Sequence, residues 1–271
     1  VREAGIVQVF SCRMMLVHWV LKTFAVGDGV LAVMGNYEKF DKHFPSDKQL
    51  QFAARRNQSL VINNAWRVRP DWTHLIYAED FPEERRPDTF TKAQCSVEAD
   101  QFVPAQNAFG GFVWAGGTMA FTAGYWALHA LKPKILAYLG CDMVYAPSGN
   151  THFYGSGTQD PLRKDVTLRS LEAKSARLQA HAALQDCAVV NLSKDQSRLV
   201  FPRADLSSLE VEKPVSFNEE AIALAQDKER ALGYFVASGR YWEEEDNFDP
   251  VEIYRIDALW RKVHAATEDS S

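Results

Sequence analysis

Short runs of apolar residues, each ended by polar residues or glycine, recur along this chain of 271 residues. The two clearest runs cover residues 30–34 (VLAVM) and 135–139 (ILAYL). A continuous apolar run of this length is typical of a β-strand that is covered on both faces in a parallel sheet. The pattern therefore predicts buried strands, and three further runs fit it at residues 59–63, 75–78 and 188–192.

Helical spacing and helix-end signals occupy the gaps between these runs. Capping boxes open two of the segments, apolar residues recur near helical spacing in the segment at 118–131, and Asp165 can cap the segment at 165–185. The predicted helices cover about residues 46–56, 118–131, 165–185, 216–233 and 251–266. Because strands alternate with helices, we expect a three-layer α/β fold with a mainly parallel sheet.

Changes in composition divide the chain into three parts. Residues 1–27 precede the first strand and have no role that we can assign, and residues 28–202 carry the strand–helix alternation. Residues 203–271 are expected to form a helical C-terminal extension. Within the α/β part, residues 81–106 are rich in proline, charge and glutamine, which predicts an irregular, lid-like loop.

Composition and charge narrow the classes of partner. The chain has 30 lysine and arginine residues against 35 aspartate and glutamate residues, a net charge of −5 that argues against a nucleic-acid partner. It has no apolar run of the roughly 18–20 residues that cross a bilayer, so we expect no transmembrane segment. Four scattered cysteines without a C-x-x-C pair predict no metal site and fit a reducing, cytoplasmic compartment.

Polar residues follow several of the predicted strands. Gly35 and Asn36 follow the first strand, Asn63 and Asn64 lie at the end of the second, and Asp142 follows the strand at 135–139. Ligands of parallel α/β sheets bind beyond the carboxyl ends of the strands, where these residues would meet. The side-chain amides of Asn36, Asn63 and Asn64 could bind a base or ribose, although asparagine at the end of a strand also forms ordinary turns.

A turn of small residues, Gly116-Gly117-Thr118, opens the predicted helix at 118–131. Glycine lets the backbone approach an anion, and a helix N-terminus offers unpaired N–H groups, so this turn is a candidate phosphate cradle. The alternative is a structural Gly-Gly turn. The sequence contains neither the G-x-G-x-x-G fingerprint nor a P-loop, so a standard dinucleotide or P-loop site is unsupported.

His152 is the leading candidate for acid–base chemistry. It lies in the loop sequence NTHFYG at residues 150–155, shortly after the strand at 135–139. A histidine beyond the carboxyl end of a strand is well placed to act as a general base. The alternative is a loop histidine without a catalytic role.

The order of features between residues 115 and 199 resembles the bacterial CMP-sialic-acid-dependent sialyltransferases. It is also similar to their relatives, which include 6-hydroxymethylpterin pyrophosphokinase-like and flagellin-modification accessory proteins. The shared features are the small-residue turn, the helix, the strand with its GCDMVY turn at 140–145, and the NTHFYG loop. The resemblance implies a Rossmann-like, nucleotide-sugar-binding domain over residues 28–202, with His152 as general base and Tyr145 assisting departure of the phosphate.

The nucleotide-binding part of the resemblance is less complete. Of the family's loop after the first strand only Gly35-Asn36 is retained, and Asn63 or Asn64 takes the place of the family's asparagine after the second strand. The turn Gly116-Gly117-Thr118 corresponds to the Thr-Ser-Gly turn that precedes a helix in that family. Tyr154 is a weak substitute for the family's lid tyrosine, and residues 203–271 lie outside the resemblance.

The expected function is therefore that of a metal-independent glycosyltransferase. It would transfer a sialic-acid-like sugar from a CMP-linked donor to a glycan acceptor, with no cofactor beyond the donor substrate. One alternative is diphosphate transfer from ATP to a pterin, with Mg²⁺ held by Asp142 and Asp80. The other is a non-catalytic binding or assembly protein, and a homo-oligomer is left open in every case.

Overall fold

The computed structural model describes residues 58–68, 70–144 and 165–265, together with the backbone of residues 30–34. Several of the predictions fall outside these residues. They include the helix at 46–56 and the site residues Gly35, Asn36, Tyr145, His152 and Tyr154.

A six-stranded parallel sheet organises the described residues, which confirms the α/β class with a parallel sheet. The strand order across the sheet is β4-β3-β2-β1-β5-β6. The chain therefore crosses the sheet in one direction from β1 to β4 and then returns to add β5 and β6 on the other side of β1. The strands are β1 (Val30–Met34), β2 (Gln58–Ile62), β3 (His74–Ile76), β4 (Cys95–Val97), β5 (Ile135–Leu139) and β6 (Ala188–Asn191).

Helices follow or join these strands. In the described residues they are α1 (Ala99–Asn107), α2 (Phe112–Ala115), α3 (Met119–Ala130), α4 (Leu171–Ala183), α5 (Glu219–Leu232) and α6 (Pro250–Ala265). None of them is long and apolar enough to cross a membrane. The predicted helices at 118–131, 165–185, 216–233 and 251–266 correspond to α3, α4, α5 and α6.

The prediction of an irregular lid at residues 81–106 was wrong for its second half. That half contains strand β4, which pairs with β3, and most of helix α1. Phe102 and Ala105, three residues apart on α1, are buried in the core, which stabilises this helix although Pro104 lies within it. Proline and polar residues dominated the local signal, whereas tertiary burial decided the structure.

Two clusters of buried residues pack against β5, one on each face of this strand. Leu136 and Tyr138 of β5 face a cluster that also contains buried residues of α1, α3 and α4. Ile135 and Ala137 face the other way, where Leu206 and Leu209 of a short 3-10 segment cover them. The alternation along β5 follows from the two-residue period of a strand.

Two helices, α5 and α6, lie in the described C-terminal residues, and each forms an ion pair with α4. Ile222 of α5 and Trp260 of α6 are buried in the same core cluster as the residues of the sheet. Helix α5 is capped at its C-terminus by Gly233, which adopts a left-handed conformation with φ of 65°. Its N-cap is Asn218, two residues after the predicted start at residue 216, and the Asn218 side chain accepts the Ala221 N–H at 3.1 Å.

Candidate functional site

The candidate site lies at the carboxyl edge of the sheet, where the predicted residues were expected to meet. Helix α3 precedes β5, and the Tyr138 hydroxyl near the carboxyl end of β5 donates a hydrogen bond of 3.1 Å to the carbonyl of Ala120. This contact places the first turn of α3 at the carboxyl edge. The turn Gly116-Gly117-Thr118 is therefore located on the side of the sheet where ligands of α/β proteins bind.

Asn63 and Asn64 immediately follow β2 at the same edge. Asn63 adopts the left-handed conformation with φ of 50°, which ends the strand. The side chain of Asn64 is buried, and neither its Oδ1 nor that of Asn63 has a hydrogen-bond partner within the part of the chain that the structure describes. A buried amide oxygen without a partner is uncommon, so this pair has hydrogen-bonding capacity to offer.

Helix α3 begins with a complete N-cap. The Thr118 hydroxyl accepts the Phe121 N–H at 3.3 Å, and the Gly117 N–H donates to the Thr167 hydroxyl at 3.0 Å. One N–H of the candidate phosphate cradle is therefore already used by the protein. An anion at this turn would have to bind the remaining N–H groups or displace Thr167.

A buried network holds this turn, and its members were not identified from the sequence as site residues. Asp165 Oδ1 accepts hydrogen bonds from the Thr167 N–H at 2.8 Å and from the Thr167 hydroxyl at 2.7 Å. Asp165 Oδ2 accepts the Tyr241 hydroxyl at 2.7 Å. The network thus joins the start of α3, the segment before α4 and the C-terminal residues.

Tyr241 also occupies the space that Gly117 leaves open. A Cβ atom at Gly117 would lie 2.0 Å from the Tyr241 hydroxyl and 2.7 Å from its Cζ. Gly117 does not have a positive φ, so the lack of space, and not the backbone conformation, requires glycine here. The glycine turn therefore accommodates a tyrosine of this chain in the described structure.

We expect Gly117→Ala to lower the free energy of unfolding by about 1–3 kcal/mol, because the new methyl group overlaps Tyr241. Urea denaturation followed by circular dichroism would measure the change. Tyr241→Ala alone removes the hydroxyl group that donates a hydrogen bond to Asp165. The double variant Gly117→Ala/Tyr241→Ala tests the steric contact between the two side chains. If the two substitutions were additive, the steric explanation would fail, because the clash requires both side chains.

Asp142 is held by the last residue of β6 and by a residue that follows this strand. Its Oδ1 accepts the Asn191 Nδ2–H at 3.1 Å, and Arg203 Nη1 lies 3.8 Å from the same oxygen. Ser193 completes the junction, because its hydroxyl accepts the Gly140 N–H at 3.1 Å. These contacts support the structural role of Asp142 at the β5–β6 edge, although its Oδ2 has no partner among the described residues.

Gln106 is a second polar residue that the sequence did not indicate. It is fully buried on α1, its Nε2 lies 3.5 Å from the Gly116 carbonyl, and its Oε1 has no partner in the described part of the chain. The sequence analysis missed Gln106 because it predicted a loop at 81–106, and nothing in the sequence of a loop indicates that one of its glutamines is buried.

Metal and thiol chemistry receive no support from the described residues. Within the ranges 58–68, 70–144 and 165–265, no group of three or more histidine, cysteine, aspartate or glutamate side chains could hold a metal ion. Burial, together with the nearby Asp142, raises the pKa of the Cys141 thiol well above its ordinary value. Cys141 is therefore a neutral thiol at neutral pH and not an activated nucleophile.

Comparisons with known proteins give no further guidance. No protein-family model, curated protein or solved structure matches this chain.

Proposed function

We propose that this chain binds a nucleotide-linked sugar over the carboxyl edge of the sheet, beside β1 and β5, and transfers the sugar to a glycan acceptor. The strand order supports the proposal. The order reverses between β1 and β5, and in doubly wound sheets a reversal of this kind opens a crevice in which nucleotides bind. The proposal includes a Rossmann-like, three-layer architecture for residues 28–202.

The polar groups at this edge suit a nucleotide better than a purely apolar ligand. Asn63 and Asn64 follow β2, next to β1 in the sheet, and their two amide oxygens have no hydrogen-bond partner among the described residues. An amide oxygen accepts hydrogen bonds from the exocyclic amino group of a base or from ribose hydroxyls. The first turn of α3 supplies positive potential at the same edge, as expected for a phosphate neighbour.

In the proposed reaction, His152 takes the proton from the acceptor hydroxyl. The hydroxyl oxygen forms a bond to the anomeric carbon of the sugar as the bond from that carbon to the phosphate oxygen breaks. The electron pair of the broken bond leaves with CMP, and Tyr145 donates a hydrogen bond to the departing phosphate. His152 and Tyr145 lie outside the described residues, so their roles rest on the resemblance.

Calorimetric titration with CMP, UDP and ATP, each with and without Mg²⁺, tests the nucleotide step. We expect CMP to bind without Mg²⁺ and Asn64→Asp to weaken its binding at least tenfold, because the added negative charge repels the phosphate of CMP at the same edge of the sheet. Asn247→Asp is the matched control, since it adds the same charge at an exposed position. It should leave CMP affinity unchanged.

The titration also separates the alternatives. Binding of ATP that strictly requires Mg²⁺ would favour diphosphate transfer to a pterin over the glycosyltransferase. Absence of binding by every nucleotide would contradict the proposal and favour a non-catalytic binding or assembly protein.

A further inference from the structure

A cavity of about 590 Å³ lies between α4, α5 and the turn that joins α1 to α2. This volume falls within the range of about 300–1,000 Å³ that small-molecule sites occupy. Arg177 and His181 line the cavity from α4, six and ten residues after the first residue of that helix. They are therefore about 9 and 15 Å along the helix axis from the carboxyl edge, which separates the cavity from the site proposed above.

Aromatic side chains form much of the wall, namely Phe109, Trp114, Tyr234 and Phe235. The rings of Trp114 and Tyr234 are stacked, with centroids 5.6 Å apart and planes at 7°. Phe235 is half exposed, so the cavity is open to solvent on its side. Flat ring surfaces of this kind favour a planar aromatic occupant.

The ion pair of Arg177 and Glu229, which is buried at the cavity wall, is internally balanced. The guanidinium of Arg177 donates to both carboxylate oxygens of Glu229, at 2.8 and 2.7 Å, and also to the Tyr125 hydroxyl at 2.8 Å. Arg230, at the surface, is paired with Asp227. Because these charges are matched, the cavity offers no excess charge to a ligand ion, and an uncharged occupant avoids a desolvation penalty.

His181 has a ring nitrogen, Nε2, for which the described residues provide no hydrogen-bond partner. Its ring borders the cavity, and more than nine-tenths of the residue is buried. Burial, reinforced by the nearby Arg177, lowers the pKa of His181 well below its ordinary value. The imidazole is therefore neutral at pH 7 and suited to hydrogen bonding with an uncharged group.

We propose that this cavity binds an uncharged planar aromatic molecule, which contacts the aromatic wall and forms a hydrogen bond with the imidazole of His181.

Ligand-observed saturation-transfer NMR with indole as the probe tests the proposal on the full chain. Benzoate and benzylammonium serve as charged aromatic probes of similar size. We expect indole to bind at least tenfold more tightly than either charged probe. Absence of saturation transfer to millimolar indole, or equal binding of a charged probe, would overturn the proposal.

Two tryptophan substitutions on α5 localise the binding. Gln226 is half-buried and lines the cavity, whereas Lys228 is exposed on the same helix and does not line it. We expect Gln226→Trp to abolish indole binding by filling the cavity, and Lys228→Trp to preserve it. Unchanged binding in a folded Gln226→Trp variant would overturn the assignment of the site.

His181→Phe provides a second test that does not depend on the folding of the Gln226 variant. The phenyl ring preserves the contacts with Phe109 and Trp260 but removes both ring nitrogens. We expect indole affinity to fall about 2- to 12-fold, the range of one net hydrogen bond. Indole affinity equal to that of the unmodified chain would refute the role of the imidazole.

Discussion

Replacing Glu229 by glutamine should lower the free energy of unfolding by about 3–5 kcal/mol, because it leaves the charge of Arg177 buried without a counter-ion. Arg177 is 1% exposed and Glu229 is 5% exposed, so solvent cannot compensate the guanidinium. Burial alone would lower the pKa of Arg177, but Glu229 and Tyr125 raise it above its ordinary value. Arg177 therefore stays charged, and the variant cannot relieve the cost by deprotonation.

The same carboxylate also connects three helices. Glu229 of α5 accepts from Arg177 of α4 and, at 2.7 Å, from the indole N–H of Trp260 on α6. Glutamine can still accept one of these bonds, so the expected loss comes mainly from the missing charge. Urea denaturation at pH 7 would measure the difference in free energy of unfolding between Glu229→Gln and the unmodified chain.

A second arginine–glutamate pair, which joins Arg198 to Glu172 of α4, is the matched control. Arg198 Nε and Nη2 donate to the two oxygens of Glu172 at 2.7 and 3.0 Å, but both side chains are partly exposed. Glu172→Gln should therefore cost no more than about 1 kcal/mol, since exposed pairs contribute little. Equal losses at Glu229 and Glu172 would mean that burial does not determine the cost.

The strands were predictable because each carries its own apolar signal. Residues 30–34 and 135–139 are continuous apolar runs, and they became β1 and β5 with unchanged bounds. Strand β4 was not predictable in the same way. It has three residues, Cys95–Val97, of which only Val97 is buried, so its position depends on pairing with β3 and not on local sequence.

The environment of α4 shows why long-range contacts limit such predictions. Its sequence, LEAKSARLQAHAA, has lysine, arginine, glutamine and histidine residues that suggest a solvated face. Lys174 and Arg177 are nevertheless buried, and their partners Asp257 and Glu229 lie 83 and 52 residues away in the sequence. No periodicity within α4 can indicate a carboxylate on another helix.

The candidate site was also predictable only in part, because some of its features are local in sequence and others depend on tertiary contacts. Strand ends and a glycine turn before a helix are local features, and the sequence located Asn64 and Gly116-Gly117-Thr118 at the carboxyl edge. Tyr241 and Asp165 approach that turn through tertiary packing across 76 residues of sequence. Four acidic residues at 243–246 follow Tyr241 closely, a composition typical of a surface loop, whereas the Tyr241 ring is buried against Gly117.

If the proposed function holds, His152→Ala should lower the rate of sugar transfer about 10²- to 10⁴-fold, the usual contribution of a general base. The acceptor hydroxyl would have to lose its proton to water during attack on the anomeric carbon, which raises the barrier. The affinity for CMP should change little, because a base that acts on the acceptor does not hold the nucleotide. Release of CMP from CMP-sialic acid, measured with a panel of glycan acceptors, would report the rate.

His129→Ala is the matched control for this variant, because His129 is exposed at the end of α3, far along the helix from the carboxyl edge. The 12 residues of α3 span about 18 Å, so the loss of the His129 imidazole should leave both turnover and CMP affinity unchanged. Normal turnover in His152→Ala would remove the catalytic assignment while leaving nucleotide binding at the carboxyl edge intact. A parallel loss of CMP affinity would instead place His152 in nucleotide binding, because a group that acts only in the transition state lowers the rate without weakening the ground-state complex.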